Sequence, residues 1–177
     1  WMFALLVDQQ GNVWAGGRQG LVRKCGQSER FEAVSATQQL LAQDTVTLLY
    51  QDQAGLIWVG TQNGLLLTLD PVHGTLRQLA PDGSEPAGPV NAMLAADAHT
   101  VWIGRGNGIE VREVRSGALQ QRLTHRRDQP HSLPGNDVRG LVRDASGVLF
   151  VGEFGGGVQR YVPALPGISV LMPDASD

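Results

Sequence analysis

Apolar residues in this chain fall in short runs set between turn-forming residues. "VWAG" (13–16), "IWVG" (57–60), "VWIG" (101–104) and "LFVG" (149–152) are each four residues long and are flanked by Gly, Asp, Asn and Gln. Such runs predict strands, because a helix needs an apolar stripe recurring every three or four residues over roughly ten or more. "IEVREV" (109–114) and "VQRYV" (158–162) alternate apolar and polar residues, which predicts strands with one wetter face. Helix-friendly composition is confined to "SATQQLLAQD" (35–44). That segment is too short to decide the fold and reads as a connection containing one helical turn.

The four runs are copies of one phrase. With Trp58 as anchor, the aromatic recurs at Trp14, Trp102 and Phe150, at steps of 44, 44 and 48 residues. Twelve residues before it stand Met2, Val46, Val90 and Val138, and nine before it Leu5, Leu49, Met93 and Leu141. Two after it stand Gly16, Gly60, Gly104 and Gly152, and four further on Gly20, Gly64, Gly108 and Gly156. "DQQG", "DQAG" and "DASG" open on Asp8, Asp52 and Asp144 and close on Gly. In a tight turn the first carboxylate accepts backbone N–H groups and the glycine takes a positive φ. The third copy departs from this: "ADAHT" has Ala96 at the Asp position and His99 at the Gly position, so its turn should be distorted, with Asp97 substituting one place later. The Asn-Gly pair of "GTQNG" predicts a tight hairpin. A third strand follows in each copy, and a weaker fourth fits "RFEAV", "TLRQL", "ALQQRL" and "ISVLM". Four strands in about 44 residues is the period of a propeller blade. The expected architecture is all-β, four blades at approximately 1–44, 45–88, 89–136 and 137–177, forming part of a larger ring.

These residues resemble the two-component regulator propeller repeat, read as valine, a few apolar residues, Asp-x-x-Gly, an aromatic-valine-glycine strand and a Gly-rich turn. The match is clearest in "HSLPGNDVRGLVRDASGVLFVGEFGGGVQRYVP" (131–163). The resemblance implies a sensor-region propeller of a bacterial hybrid histidine kinase or diguanylate cyclase, on the periplasmic side of the membrane, with the membrane reached only through the parent protein. It also implies rings of about seven blades, so these four would be completed by neighbouring blades or by another copy. An incomplete ring exposes apolar blade faces, and a homo-oligomer is expected of the isolated piece.

Composition narrows the partners. A net charge of -3, a single lysine (Lys24) and scattered arginines leave no basic stripe to track a phosphate backbone, which argues against nucleic acid. Cys25 is the only cysteine, expected as a buried or half-buried small hydrophobe. A chain that starts at Trp1 inside a strand pattern looks cut from something longer.

Candidate chemistry is sparse. The turns after the second strands carry polar residues that differ from copy to copy: Arg18 and Gln19, Gln62 and Asn63, Arg105 and Asn107, Glu153 and Phe154. Varied side chains on repeated scaffolding are the best candidates to contact a small-molecule or glycan ligand, the competing reading being solvated turn residues. His73, His99, His125 and His131 show neither metal-ligand spacing nor local carboxylate partners, and no catalytic residue, metal or cofactor is expected. "GRGNG" (104–108) lacks the lysine and following helix of a phosphate loop and reads as a hairpin. One carboxylate per Asp-x-x-Gly turn falls short of a calcium site. The insert "THRRDQPHSLPGND" (124–137) gathers charge and could hold an anion or a neighbouring domain, although a solvated loop is the plainer reading. The function expected is a ligand-sensing or interaction module without catalysis; the rivals are a propeller lyase or hydrolase of the streptogramin-lyase type and a pure protein-interaction scaffold.

Overall fold

A computed structural model describes residues 2–80, 88–129 and 132–161, and the backbone of 168–170. His131 lies outside the described residues, as do Leu171 and Met172, the last two residues of the expected fourth strand "ISVLM". The described chain forms four four-stranded antiparallel sheets. The first holds β1 (Met2–Val7), β2 (Val13–Gly17), β3 (Gly20–Lys24) and β4 (Glu32–Ala33) in that order. The second holds β5 (Val46–Gln51), β6 (Ile57–Thr61), β7 (Leu66–Leu69) and β8 (Leu76–Gln78). The third holds β9 (Val90–Ala95), β10 (Thr100–Arg105), β11 (Gly108–Glu113) and β12 (Leu119–Leu123), and the fourth β13 (Val138–Arg143), β14 (Leu149–Glu153), β15 (Gly157–Tyr161) and β16 (Ile168–Val170). These are propeller blades, as the repeat predicts. The one helix among the described residues, α1 (Ser35–Leu41), is two turns long rather than one; it buries Thr37 and adds Leu41 to the hydrophobic core that the first two sheets share. The chain divides into two compact units, residues 1–91 and 92–177.

The Asp-x-x-Gly turns form as expected, and they do more than turn the chain. Asp8 Oδ1 accepts the amides of Gln10 and Asn12, while Oδ2 accepts the indole Nε1–H of Trp14 at 2.8 Å. Asp52 repeats the arrangement with the Leu56 amide and Trp58 Nε1, again at 2.8 Å. One carboxylate thereby caps the turn and satisfies the single donor of a buried indole, which would otherwise be costly to bury. Burial pushes the Asp8 carboxyl up, but the donors from Trp14, Asn12 and Gln10 outweigh it and its pKa is lowered. In the fourth copy the Phe150 side chain has no N–H, and Asp144 Oδ1 accepts from Ser146 and Val148 instead. In the third copy Asp97 accepts from the amides of His99 and Thr100 and from the Thr100 hydroxyl, the substitution expected from the sequence. Trp102 instead lies against Tyr161 with ring centroids 4.9 Å apart.

The glycine two residues after the aromatic is a socket. A Cβ on Gly16 would collide with Cγ1 of Val46, one on Gly60 with Cγ1 of Val90, and one on Gly104 would come within 2.7 Å of Cγ1 of Val138. The valine twelve residues before each aromatic is therefore the knob that fills the preceding copy's socket; all three valines are fully buried. Close packing at this density leaves no room for even one added methyl.

The hairpins after the second strands come in two registers. Gly17 pairs with Gly20 and Arg105 with Gly108 across two-residue tips. Glu153 pairs with Gly157 and Gly60 with Leu66, so the second and fourth copies carry one more residue in the tip. In "GTQNG" only Gly64 has a positive φ (88°), with Asn63 on the ordinary side, so the pair does not form the expected two-residue turn. That extra residue shifts the third strand by one position against its neighbours.

Several expectations about exposure are corrected. Glu110 and Arg112 do not face water: every residue of β11 through Arg112 is buried. In β15 the buried residue is the polar Gln159, while Val158 is 49% exposed. Cys25 is exposed, because β3 ends at Lys24 and the chain turns into solvent. Among the described residues of the insert at 124–137, Leu133 is 1% exposed and belongs to the hydrophobic core of the second unit.

Candidate functional site

The hairpin tips lie at the same end of their blades as the connections that enter them. Gln62 N–H donates to Thr45 O at 2.8 Å and Asn63 N–H to Asp44 Oδ1 at 3.2 Å. Phe154 N–H donates to Asp137 O at 2.8 Å. Main-chain N–H bonds thus fix the second and fourth tips while their side chains differ, the arrangement that suits recognition. Arg18, Gln19, Gln62, Asn63 and Phe154 are exposed and Asn107 is half-buried. The Arg139 guanidinium lies 5.8 Å over the Phe154 ring and bonds Asp137 Oδ2 at 2.7 Å. That carboxylate holds the Arg139 pKa above its ordinary value.

Arg105 and Glu153, expected among these tips, are not turn residues. Each ends a second strand with its side chain buried, Arg105 at 2% and Glu153 at 7% exposure. Arg105 Nε lies 2.8 Å from Glu110 Oε1, Arg112 Nε donates to Glu110 Oε2 at 2.7 Å, and Arg122 reaches Oε1 at 3.0 Å. Burial pushes the Glu110 carboxyl up, and the Arg105 and Arg112 guanidiniums beside it outweigh this and lower its pKa. Burial likewise lowers the pKa of Arg105, with Glu110 opposing. Glu153 has no arginine cluster of this kind around it, and both of its carboxylate oxygens are buried. It is folded back against Gly156 and lies 3.0 Å from the place a Cβ on Gly135 would occupy. Burial raises its pKa, with the Gly135 amide and His125 opposing.

The histidines behave mostly as turn residues, with one correction. His73 has a local carboxylate after all: its Nδ1 lies 2.7 Å from Asp70 Oδ2, and the bonds from His73 and Val72 lower the Asp70 pKa to about 2. His99 is exposed in its turn, and His125 Nδ1 bonds Leu133 O at 2.6 Å. Among the described residues no three His, Cys, Asp or Glu side chains stand where they could hold a metal ion, and no helix is long and apolar enough to cross a membrane.

A feature missed in the sequence is a recess of about 390 Å³ in the first unit, between the edge of the first sheet and the β7–β8 turn. Trp14, Arg23, Glu32, Ser35, Asp70 and His73 are among its walls. Arg23 lies 5.2 Å over the Trp14 ring and reaches Pro71 O. No motif marks it, because its walls come from stretches nearly 50 residues apart.

Comparison with known proteins agrees with this architecture. The family model described as "Two component regulator propeller" matches residues 40–63. No curated protein sequence matches the chain. Among solved structures, the extracellular domain of the hybrid two component system BT4673 from B. thetaiotaomicron is similar over 97% of this chain and 21% of its own, with 17% identity and a TM-score of 0.74. This chain therefore spans about a fifth of that extracellular domain's length. Virginiamycin B lyase from Staphylococcus aureus is similar over 99% of this chain and 56% of its own, at 12% identity and a TM-score of 0.68. The computationally designed Ika4 protein is similar over 91% and 90%, at 19% identity and a TM-score of 0.60. At these identities the structures speak to the fold. They show a β-propeller segment, one stretch of which, residues 40–63, matches the two-component regulator propeller model.

Proposed function

We propose that this segment is the non-catalytic sensing or interaction part of a bacterial signalling receptor, lying on the extracytoplasmic side of a membrane that the parent protein crosses. The observation that carries this reading is the pairing of a repeated scaffold with exposed tips in the first, second and fourth copies that carry different side chains. The likeness to an extracellular two-component domain supports it. Arg18, Gln19, Gln62 and Asn63 form the contact set in the first unit, and Asn107 and Phe154 that in the second; Arg105 and Glu153 support their tips from beneath. A small molecule or glycan held on the tips would change the packing around them, and a histidine kinase or diguanylate cyclase would read the change. No cofactor enters this scheme.

The test is a thermal-shift screen with neutral and acidic oligosaccharides and free amino acids, repeated on the double variant Arg18→Ala/Asn63→Ala. Both positions are exposed, so the variant should melt with the parent when no compound is present. Stabilisation by a compound that the variant loses supports the tips. Stabilisation that survives in the variant but disappears in Arg23→Ala would point to the recess walled by Arg23. A chain stabilised by none of these, yet tightly bound by a protein, would favour an interaction scaffold.

A further inference from the structure

The register of the first sheet sets three unlike side chains in one row. Trp14 on β2 pairs with Arg23 on β3, and Arg23 pairs with Glu32 on β4. Directly opposed residues of an antiparallel pair share a face, with Cβ atoms about 5 Å apart, so an aromatic ring, a cation and a carboxylate stand side by side. All three wall the recess of about 390 Å³. The matching row of the second sheet is Trp58, Thr68 and Arg77, and that of the third is Trp102, Val111 and Gln121. Neither carries both signs of charge.

Arg23 and Glu32 are neighbours that do not pair. The guanidinium is drawn the other way, 5.2 Å over the Trp14 ring and with one nitrogen 3.4 Å from Pro71 O. Among the described residues no other side-chain bond or ion pair holds Arg23, and none holds the Glu32 carboxylate. On the far wall Asp70 is anionic, its pKa lowered to about 2, and both of its oxygens are already taken by Val72 and His73. Val34 and Leu69 add hydrocarbon, and Val72 is 73% exposed beside them. Both walls belong to the first unit, whose two sheets share one core, so the recess takes its shape from these two blades alone. The β7–β8 turn lies at the opposite end of β7 from the Gln62 and Asn63 tip, which sets the recess apart from the tips.

We infer that this recess holds a free α-amino acid with an aliphatic side chain: its carboxylate on the Arg23 guanidinium, its ammonium on Glu32, its side chain against Val34, Leu69 and Val72. A planar guanidinium offers a carboxylate two parallel N–H donors. A ligand with only a negative charge would face Glu32 and Asp70, and one with only a positive charge would face Arg23; a zwitterion meets neither repulsion. The volume falls in the range of small-molecule sites, about 300–1,000 Å³.

Isothermal titration of this chain with L-leucine tests the inference, beside N-acetyl-L-leucine, which lacks the ammonium, and L-leucinamide, which lacks the carboxylate. Leucine should bind saturably, and each analogue should bind about 10- to 100-fold more weakly, the loss of one charge-assisted contact. Glu32→Gln changes an exposed position, and Arg23→Lys keeps the charge while removing the fork. Each should weaken leucine by about tenfold or more with the melting temperature unchanged. The tip variant Arg18→Ala/Asn63→Ala should bind leucine as the parent does. Absence of saturable binding at millimolar leucine overturns the inference. So does an analogue that binds as tightly as leucine, an affinity that Glu32→Gln leaves unchanged, or an affinity lost in the tip variant.

Discussion

The second and third blades place different chemistry in the same ladder positions. Val59 pairs with Leu67 and Ile57 with Leu69; Ile103 pairs with Glu110 and Val101 with Arg112. Leu67 and Leu69 are 0% and 2% exposed, Glu110 and Arg112 1% and 2%. At the end of the second strand, Thr61 is bonded to its own turn, whereas Arg105 belongs to the Glu110 cluster. The repeat dictates which positions are buried and leaves open how they are satisfied. One blade does it with hydrocarbon; the other surrounds a carboxylate with Arg105, Arg112 and Arg122.

The sharpest way to break the comparison is to remove the shared carboxylate. Glu110→Ala leaves buried guanidiniums without their common anion and should lose about 3–5 kcal/mol, read as a lower midpoint in urea unfolding followed by near-ultraviolet circular dichroism; a loss near zero would mean the arginines are held by their other bonds. Its counterpart, Leu67→Ala, should lose about 3 kcal/mol through transfer and cavity costs, with little dependence on salt. A smaller effect separates the turns. Asp52→Ala strands the buried Trp58 indole and should lose about 2 kcal/mol, whereas Asp144→Ala, with Phe150 in place of tryptophan, should lose less in the same assay.

The smallest predicted effect runs the other way. Burial raises the Glu153 pKa, so the folded state favours its neutral form. Its contribution to stability is therefore fullest below the ordinary glutamate range and is lost as pH rises through the raised value. Glu153→Gln should gain about 1 kcal/mol at neutral pH, about 2–4 °C in melting temperature, and the gain should vanish in acid. An equal gain at both pH values would mean that ionisation is not what costs stability there.

The blades, their strands and the Asp-x-x-Gly turns were legible in the sequence, because they depend on residue identity at fixed offsets. The ion cluster was not. A constant offset aligns Leu66 with Glu110, but the longer tip of the second blade shifts β7 by one, and the true counterpart is Leu67. Alternation in "IEVREV" was real, yet it could not say which face was covered, and both are. Arg105 and Glu153 stood next to turn residues in sequence and one peptide inside them in structure. Five of the eight candidate tip residues are exposed and one is half-buried, since tip chemistry is read from Gly and polar residues directly.

The indole arrangements give the molecule optical labels of its own. Trp14 and Trp58, both in the first unit, hold their ring nitrogens on aspartate oxygens 2.8 Å away, while Trp102 in the second unit lies against Tyr161. A fixed negative charge at the indole nitrogen shifts its absorption and emission, whereas a close aromatic pair produces exciton-coupled dichroism. Two colours of signal from one unlabelled sample would thus follow the melting of the two units separately, and report whether they come apart together or in turn.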